Sequence, residues 1–268
     1  MEGRVLIVAG SDSGGGAGVQ GDIKTVTALG SYAATAITAL TAQNTRGVFG
    51  VVPVEPAFVM RQIEVVLADI GADCIKTGML FSAAIIDAVV RAFEKYARGI
   101  PLVVDPVMVA KGGAVLLEPE ARALFELRLL PIASLLTPNA PEAEALTGLP
   151  VRDVQDMQRA ADVLLTKGAS AVLIKGGHLP GDRVYDLLRT ADGAERWFDG
   201  PRIESRSTHG TGCALASGIA AGLARGLRLE DAVARARDYV VEAIRRAPDL
   251  GTGAGPLNHA HSFEPTAN

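Results

Sequence analysis

Cysteine is almost absent from this sequence: Cys74 and Cys213 are the only two, and no C-x-x-C spacing occurs. That excludes a cysteine-based zinc cluster and a disulfide scaffold, and it fits a reducing compartment. Basic clusters are missing too. Lys and Arg are dispersed and the formal net charge is −4, so nothing forms an electrostatic footprint for nucleic acid. No apolar stretch runs uninterrupted for the roughly 20 residues that span a bilayer. The first strand-like run, "RVLIVAG", begins at Arg4 and leaves no room for a signal peptide before it. The expectation is therefore a soluble, cytoplasmic protein with neither membrane nor nucleic acid as partner. Internal repeats, low-complexity tracts and linker-like segments are also lacking.

What is present is a large supply of core. At 268 residues and 49% hydrophobic content, one α/β domain over 1–268 is expected. Short β-branched runs alternate with longer segments of helical period, the pattern of βαβ units and a mostly parallel sheet. The strand candidates are "VLIVAG" from Val5, "DCIKTG" from Asp73, "PLVVDP" from Pro101, "ASLLTPN" from Ala133 and "AVLIKGG" from Ala171. Helices are predicted for "PAFVMRQIEVVLADI", "SAAIIDAVVRAFEKYA", "PEARALFELRLL" and "VQDMQRAADVLLTKG". Pro56 and Pro119 suit first turns, and Gly168 suits a helix end. Two regions break the rhythm: Tyr32 to Val54, with its turn-like "NTRG", and the stretch from Val184 containing "ADG". Both read as strand and hairpin.

Several constellations could carry chemistry. The loop "GSDSGGGAGVQGD", Gly10 to Asp22, follows the first strand and precedes a helix, where backbone N–H groups can approach a ligand. It is no Walker A, since no Gly-Lys-Ser/Thr follows; a flexible turn is the plainer reading, with Gln20 and Asp22 as first-turn polar residues. Asp105 ends a very apolar strand, at the edge where open α/β sheets bind ligands. Asn139 and Glu142 stand three apart at a helix start, which a capping arrangement explains without any ligand. With Asp105 nearby, an Mg²⁺ site of oxygens and waters is the alternative. Lys175 closes its strand before two glycines, placed either for a phosphate or for solvent. "THGTGC" before an apolar helix puts unpaired N–H groups at a helix N-terminus, a site for a transferring phosphoryl group. There Cys213 is either a small packing residue or a thiol whose pKa the helix dipole lowers.

Taken in order, "GSDSGGGAGVQGDIKT", "ALTAQNTRGV", "KTGML", "VVDPVMVAKGG", "LLTPNAPEAEAL", "LIKGGH" and "STHGTGCALASGIAAGLA" cover nearly the whole chain. Together they resemble the hydroxymethylpyrimidine/phosphomethylpyrimidine kinases, bifunctional thiamine-biosynthesis enzymes of the ribokinase-like superfamily. The resemblance implies a three-layer α/β/α fold with a central, mostly parallel sheet and a small β-flap. It also implies two successive transfers from ATP, to 4-amino-5-hydroxymethyl-2-methylpyrimidine and to its monophosphate. By the same resemblance Gln43 would hydrogen-bond the aminopyrimidine, Asp22 would help hold it, and Met79 and Val107 would line its faces. Asp105 and Glu142, with Asn139, would organise Mg²⁺ largely through water. Lys175, Thr208 and Asn139 would meet ATP, and Gly210, Thr211, Gly212 and Cys213 would form an anion hole. The stretch "VAKGGA" after Val109 would be a closing lid.

An amide suits an aminopyrimidine because it offers a donor and an acceptor together. Phosphoryl transfer through a loose transition state asks chiefly for positioning and charge stabilisation. Where many ribokinase-like enzymes carry Asp, this motif ends in Cys213, which would accept the alcohol proton of the first transfer and so matter more there than in the second. Three rivals remain open. A pyridoxal kinase of the same branch would carry a second Cys in the lid, and Val107 to Ala114 has none. A binding protein without catalysis would have no need of the full phosphoryl-transfer set. A cysteine hydrolase using Cys213 and His209 lacks an evident orienting Asn or Asp. The flap suggests a homodimer, and the "GTGAGPLNHAHSF" tail, with His259 and His261, reads as an ordinary terminus.

Overall fold

The computed structural model describes residues 1–110 and 113–263. Among these, nine strands occur: β1 (Arg4–Asp12), β2 (Tyr32–Asn44), β3 (Gly47–Pro53), β4 (Cys74–Thr77), β5 (Leu102–Val104), β6 (Leu135–Leu136), β7 (Ala171–Ile174), β8 (Arg183–Thr190) and β9 (Glu195–Pro201). They join one sheet in the order β3-β2-β1-β4-β5-β6-β7-β8-β9. The pairs from β2 to β7 are parallel, while β3, β8 and β9 add antiparallel hairpins at the two edges. Both hairpins sit where the turn-like sequences predict them.

The strands can be apolar on both faces because helices cover both. Along β1, Leu6 and Val8 face one core while Val5, Ile7 and Ala9 face the other. The first core is closed by α2 (Pro56–Asp69), α3 (Ala83–Tyr96), α4 (Pro119–Leu124), α5 (Ala140–Thr147) and α6 (Val154–Thr166). The second is closed by α1 (Gly18–Ala28), α7 (Thr211–Ala224) and α8 (Leu229–Arg245). The α7 face is built of small residues, so α8 packs against it closely: a Cβ on Gly222 would lie 2.8 Å from that of Ala232. Both cysteines are free thiols. Among the described residues no helix is long and apolar enough to cross a membrane.

One predicted helix is shorter than its sequence pattern. "PEARALFELRLL" begins as α4 with Pro119 in its first turn, then widens into a π-helical turn, Phe125–Leu129, and tightens at Leu130–Ile132. The widened turn puts Phe125 and Leu129 both into the core, and Pro131 prevents the helix from resuming.

The topology locates the site. From β1 the chain steps to β2 on one side and later to β4 on the other, so a crevice opens at their carboxyl ends. The carboxyl ends of β1, β4, β5 and β7 lead into Asp12, Met79, Asp105 and Lys175.

The tail is not an ordinary terminus. It returns from α8 to the turn between β2 and β3, where Ala254 N–H donates to the Thr45 carbonyl (2.8 Å), then pairs beside His209 and buries Leu257 and His259. His259 Nδ1 lies 3.0 Å from the Tyr239 hydroxyl and 3.3 Å from that of Thr25, and its buried Nε2 has no partner. Burial, reinforced by Lys24 and His261, pulls the imidazole down to about 4. The unfolded chain, with a histidine near 6.5, thus binds the proton more readily than the folded one. His259 should therefore withdraw stability as pH falls from about 6.5 toward 4, and add nothing to the pH dependence above that window. Urea unfolding across the range, compared with His259→Gln, should show the wild type losing its advantage on the acid side; a pH-independent difference would contradict this.

Candidate active site

Asp12 organises the glycine loop. Its carboxylate accepts from the backbone N–H of Gly14 (2.8 Å), Gly16 (3.1 Å) and Ala17 (2.9 Å) and meets His209 Nε2 at 2.8 Å. Burial raises its pKa, but the His209 and backbone hydrogen bonds outweigh burial and hold it below the usual carboxylate range. Gln20 adds a clamp, accepting from Asp12 N–H and donating to Ser11 Oγ. The loop is therefore neither a flexible turn nor an open ligand cradle: these N–H groups are spent on Asp12.

The free donors lie across the crevice, at α7. Side chains of Glu55, Ser82, Asn139 and Asp153 cap α2, α3, α5 and α6, whereas α7, like α1, α4 and α8, has no side-chain cap; of these ends, that of α7 stands beside Lys175 and Asp105. Its N-cap, Gly210, has φ +84°, and a Cβ there would sit 2.0 Å from the Gly16 carbonyl oxygen, so only glycine fits. The uncapped turn faces charge: a Cβ on Gly212 would lie 3.2 Å from Lys175 Nζ and 3.9 Å from Asp105 Oδ2.

Lys175 donates to Asp105 Oδ1 at 2.9 Å and stands 3.9 Å from Glu142 Oε2. Thr137 Oγ1 donates to the same Asp105 oxygen at 3.2 Å. Asn139 and Glu142 form the capping box the spacing suggests: Glu142 N–H donates to Asn139 Oδ1 (2.9 Å), and Asn139 N–H to Glu142 Oε2 (2.7 Å). Burial pushes Glu142 up to about 7, with Asp105 adding to the rise and Lys175 opposing it. Thr208 supplies a carbonyl that accepts from Thr211 Oγ1 at 3.2 Å. Among the described residues no cluster of three or more His, Cys, Asp and Glu could hold a metal by itself.

Beneath this floor Asp22 departs from the expectation that it touches substrate. It is fully buried, with Oδ2 taken by Lys76 Nζ (2.8 Å) and Oδ1 by Ser217 Oγ (2.7 Å). Neither oxygen is exposed to the crevice; the residue ties α1, β4 and α7 together. Lys76, fully buried as well, stays charged because the pull of Asp22, with Cys213 and Asp105 adding to it, outweighs the cost of burial. Of the two readings left open for Cys213, the thiol with a lowered pKa does not fit its surroundings. Burial pushes Cys213 up to about 12, Lys76 pulls it down, and the Asp22 and Asp105 carboxylates push it up further.

Toward the flap a cavity of about 300 Å³ is lined in part by Gln43, Val48, Ala110, His209 and Ala254. Met79 and Val107 do not line it directly; with Ala39 and Leu116 they form a small apolar cluster against Val48 and Ala110. The lid stretch falls partly outside the described residues, at Lys111 and Gly112, and its flanks pair at Val109 and Val115. The orienting acid missing from the hydrolase reading does exist, as Asp12, but His209 hydrogen-bonds to Asp12 and Gln43, not to the thiol. Sequence reading assigned no role to Asp12, Lys76 or Ser217. A lysine inside the apolar strand "CIKT" was the available signal, since burying it requires a partner.

The family model for phosphomethylpyrimidine kinase matches residues 12–258. The chain belongs to that family. It is 54% identical to the thiamine biosynthesis bifunctional protein ThiED of Geobacter sulfurreducens, covering 98% of this chain but 53% of that longer protein. To the hydroxymethylpyrimidine/phosphomethylpyrimidine kinase of Streptomyces coelicolor it is 48% identical, over 95% of this chain and 93% of the relative. A crystal structure of phosphomethylpyrimidine kinase from Clostridium difficile superposes with TM-score 0.80 at 41% identity, covering 90% of this chain and 99% of that one. An ADP complex of Bacillus subtilis pyridoxal kinase gives TM-score 0.89 at 32% identity, covering 97% and 98%. The fold is thus the ribokinase-like three-layer α/β/α arrangement of these kinases.

The buried pair makes a stability prediction. Lys76→Met should cost about 3–5 kcal/mol by stranding Asp22, while Lys76→Met with Asp22→Leu should recover most of the loss. Denaturant midpoints of the three proteins test this; equal destabilisation by the single and double variants would show that the charges do not act as a pair.

Proposed function

We propose that the chain transfers the γ-phosphoryl group of ATP to the hydroxymethyl oxygen of 4-amino-5-hydroxymethyl-2-methylpyrimidine, and a second one to the resulting monophosphate, for thiamine biosynthesis. The observation that carries the reading is the uncapped α7 N-terminus aimed at Lys175 and Asp105. Its N–H groups on Thr211, Gly212 and Cys213 form the cradle for the transferring phosphoryl, with Gly210 fixing the entry of the helix. Fixed in the first turn of the helix, they need no reorganisation as charge develops.

Lys175, tied to Asp105 at rest, turns to the ATP phosphates when they arrive, and Thr208 and Asn139 border the same crevice. Asp105 and Glu142 offer hard oxygen donors beside a phosphate site, which fits Mg²⁺ held through waters and phosphate oxygens. Bound there, Mg²⁺ supplies charge neutralisation on the phosphates. Gln43 holds the aminopyrimidine edge, with Met79 and Val107 supporting the apolar wall. Cys213 closes the cradle as a neutral thiol, since a group near 12 is scarcely ionised at neutral pH. Use of ATP as co-substrate suits a cytoplasmic enzyme, and the exposed Leu40, Phe49 and Val52 of the flap suit pairing with a second copy.

Pyridoxal is the second reading, favoured by the likeness to pyridoxal kinases from Bacillus subtilis and Staphylococcus aureus, the latter described with AMP-PCP. The absence of Cys between Val107 and Ala114 weighs against it as the main substrate. The test is a panel of the hydroxymethylpyrimidine, its monophosphate and pyridoxal, each with Mg-ATP and products identified by mass. A diphosphate from both pyrimidines is expected; no turnover of the monophosphate would refute the two-step reading. Lys175→Ala should lower kcat/KM about 100-fold or more. Cys213→Ser should slow both steps modestly and alike, and a selective loss of the first step would restore the thiol as proton acceptor.

A further inference from the structure

Around Gln43 the donors and acceptors are mismatched, and resolving the mismatch assigns His209 a task. In the conformer of the structure, the Gln43 amide nitrogen lies 3.2 Å from His209 Nε2 and the amide oxygen 3.2 Å from Thr41 Oγ1. His209 Nε2 is also 2.8 Å from Asp12 Oδ2. Asp12 accepts three backbone N–H groups, so it is an ionised acceptor and the proton between it and the ring resides on Nε2. A donor then faces a donor at Gln43. On the other side, the single Thr41 hydroxyl proton is directed to the Ser11 carbonyl at 2.9 Å, leaving only lone pairs toward Gln43. There an acceptor faces an acceptor. A half-turn of the amide about its last bond removes both clashes: the single His209 Nε2–H, directed mainly to Asp12, is shared with the Gln43 oxygen as the longer arm of a three-centre bond, and Gln43 N–H donates to Thr41 Oγ1.

We infer that His209, backed by Asp12, is a specificity-determining positioning residue that with Thr41 locks the Gln43 amide in one orientation. The inference rests on the aminopyrimidine reading of the site. With one lone pair and one N–H engaged, the locked amide presents a single acceptor and a single donor, in fixed order, to the cavity. An aminopyrimidine brings an amine donor beside a ring-nitrogen acceptor. Its 4-oxo analogue brings the same two functions in reversed order, a carbonyl acceptor beside a ring N–H. A freely rotating amide reads both by turning over, whereas a locked one accepts only the first while the hydroxymethyl group points to α7. His209 thereby links the pyrimidine wall to the phosphoryl cradle, since it directly precedes Gly210.

The experiment measures kcat and KM for the 4-amino substrate and its 4-oxo analogue with wild type, His209→Leu, His209→Gln and Thr41→Val. His209→Leu and Thr41→Val should each reduce the amino-over-oxo preference in kcat/KM by about tenfold, mainly through KM for the pyrimidine. KM for ATP should stay near the wild-type value, and His209→Gln, which restores an N–H, should recover much of the preference. A preference unchanged in both His209→Leu and Thr41→Val overturns the inference, as does an equal loss on both substrates. If the wild type phosphorylates neither pyrimidine, the proposed function falls and the inference with it; if it phosphorylates the amino substrate and the preference does not move, only the inference falls.

Discussion

The ion pair between Lys76 and Asp22 lies where a two-charge unit is costliest, with neither side chain exposed. It persists because each charge is the other's only adequate solvent. Asp22 comes from α1, Lys76 from β4 and the accompanying Ser217 from α7, so the elements flanking the sheet crevice can part only by stranding a charge. Ser217 is one helical turn beyond Cys213, on the same side of α7. The pair therefore sets the azimuth of that helix, and with it the direction in which the open first turn points.

With the pair included, the crevice floor is a small electrostatic system. Three carboxylates, Asp22, Asp105 and Glu142, stand against two ammonium groups, Lys76 and Lys175. The uncapped helix end adds fractional positive charge. Such a floor is close to balanced when empty and tolerates the arrival of anion and cation together better than either alone. Metal-bound nucleotide has that composition. In the proposed reaction the crevice also separates tasks in space, with the α7 first turn and Lys175 on one side and Gln43 under the flap on the other. Gly210 and His209, adjacent in sequence, join the two.

Much of this was legible in the chain. The alternation of strand and helix, both hairpins, Pro56 and Pro119 as helix starters, and the Asn139 to Glu142 capping box follow from local periodicity and spacing. Local chemistry dominates at such positions, so sequence distance does not obscure them. What escaped was long-range partnership. Asp12 meets His209, and Asp22 meets Lys76 and Ser217, only because the sheet order brings distant segments together. No spacing rule anticipates this. The thiol of Cys213 shows a different limit: the helix end that would lower its pKa is a local feature, while the acids and the burial that raise it are tertiary.

One feature of the fold bears on how the molecule comes into being. Gly253 and Ala254 line the flap cavity, fastened to Thr45, and the chain then runs beside His209, while the strands and helices that frame the crevice all precede them. On the ribosome, the sheet can form while these residues are still inside the exit tunnel. The flap cavity is complete only once they emerge. Assembly of the framework and completion of the pocket are thus separate events in time, and a nascent chain that has already folded its core has yet to become an enzyme.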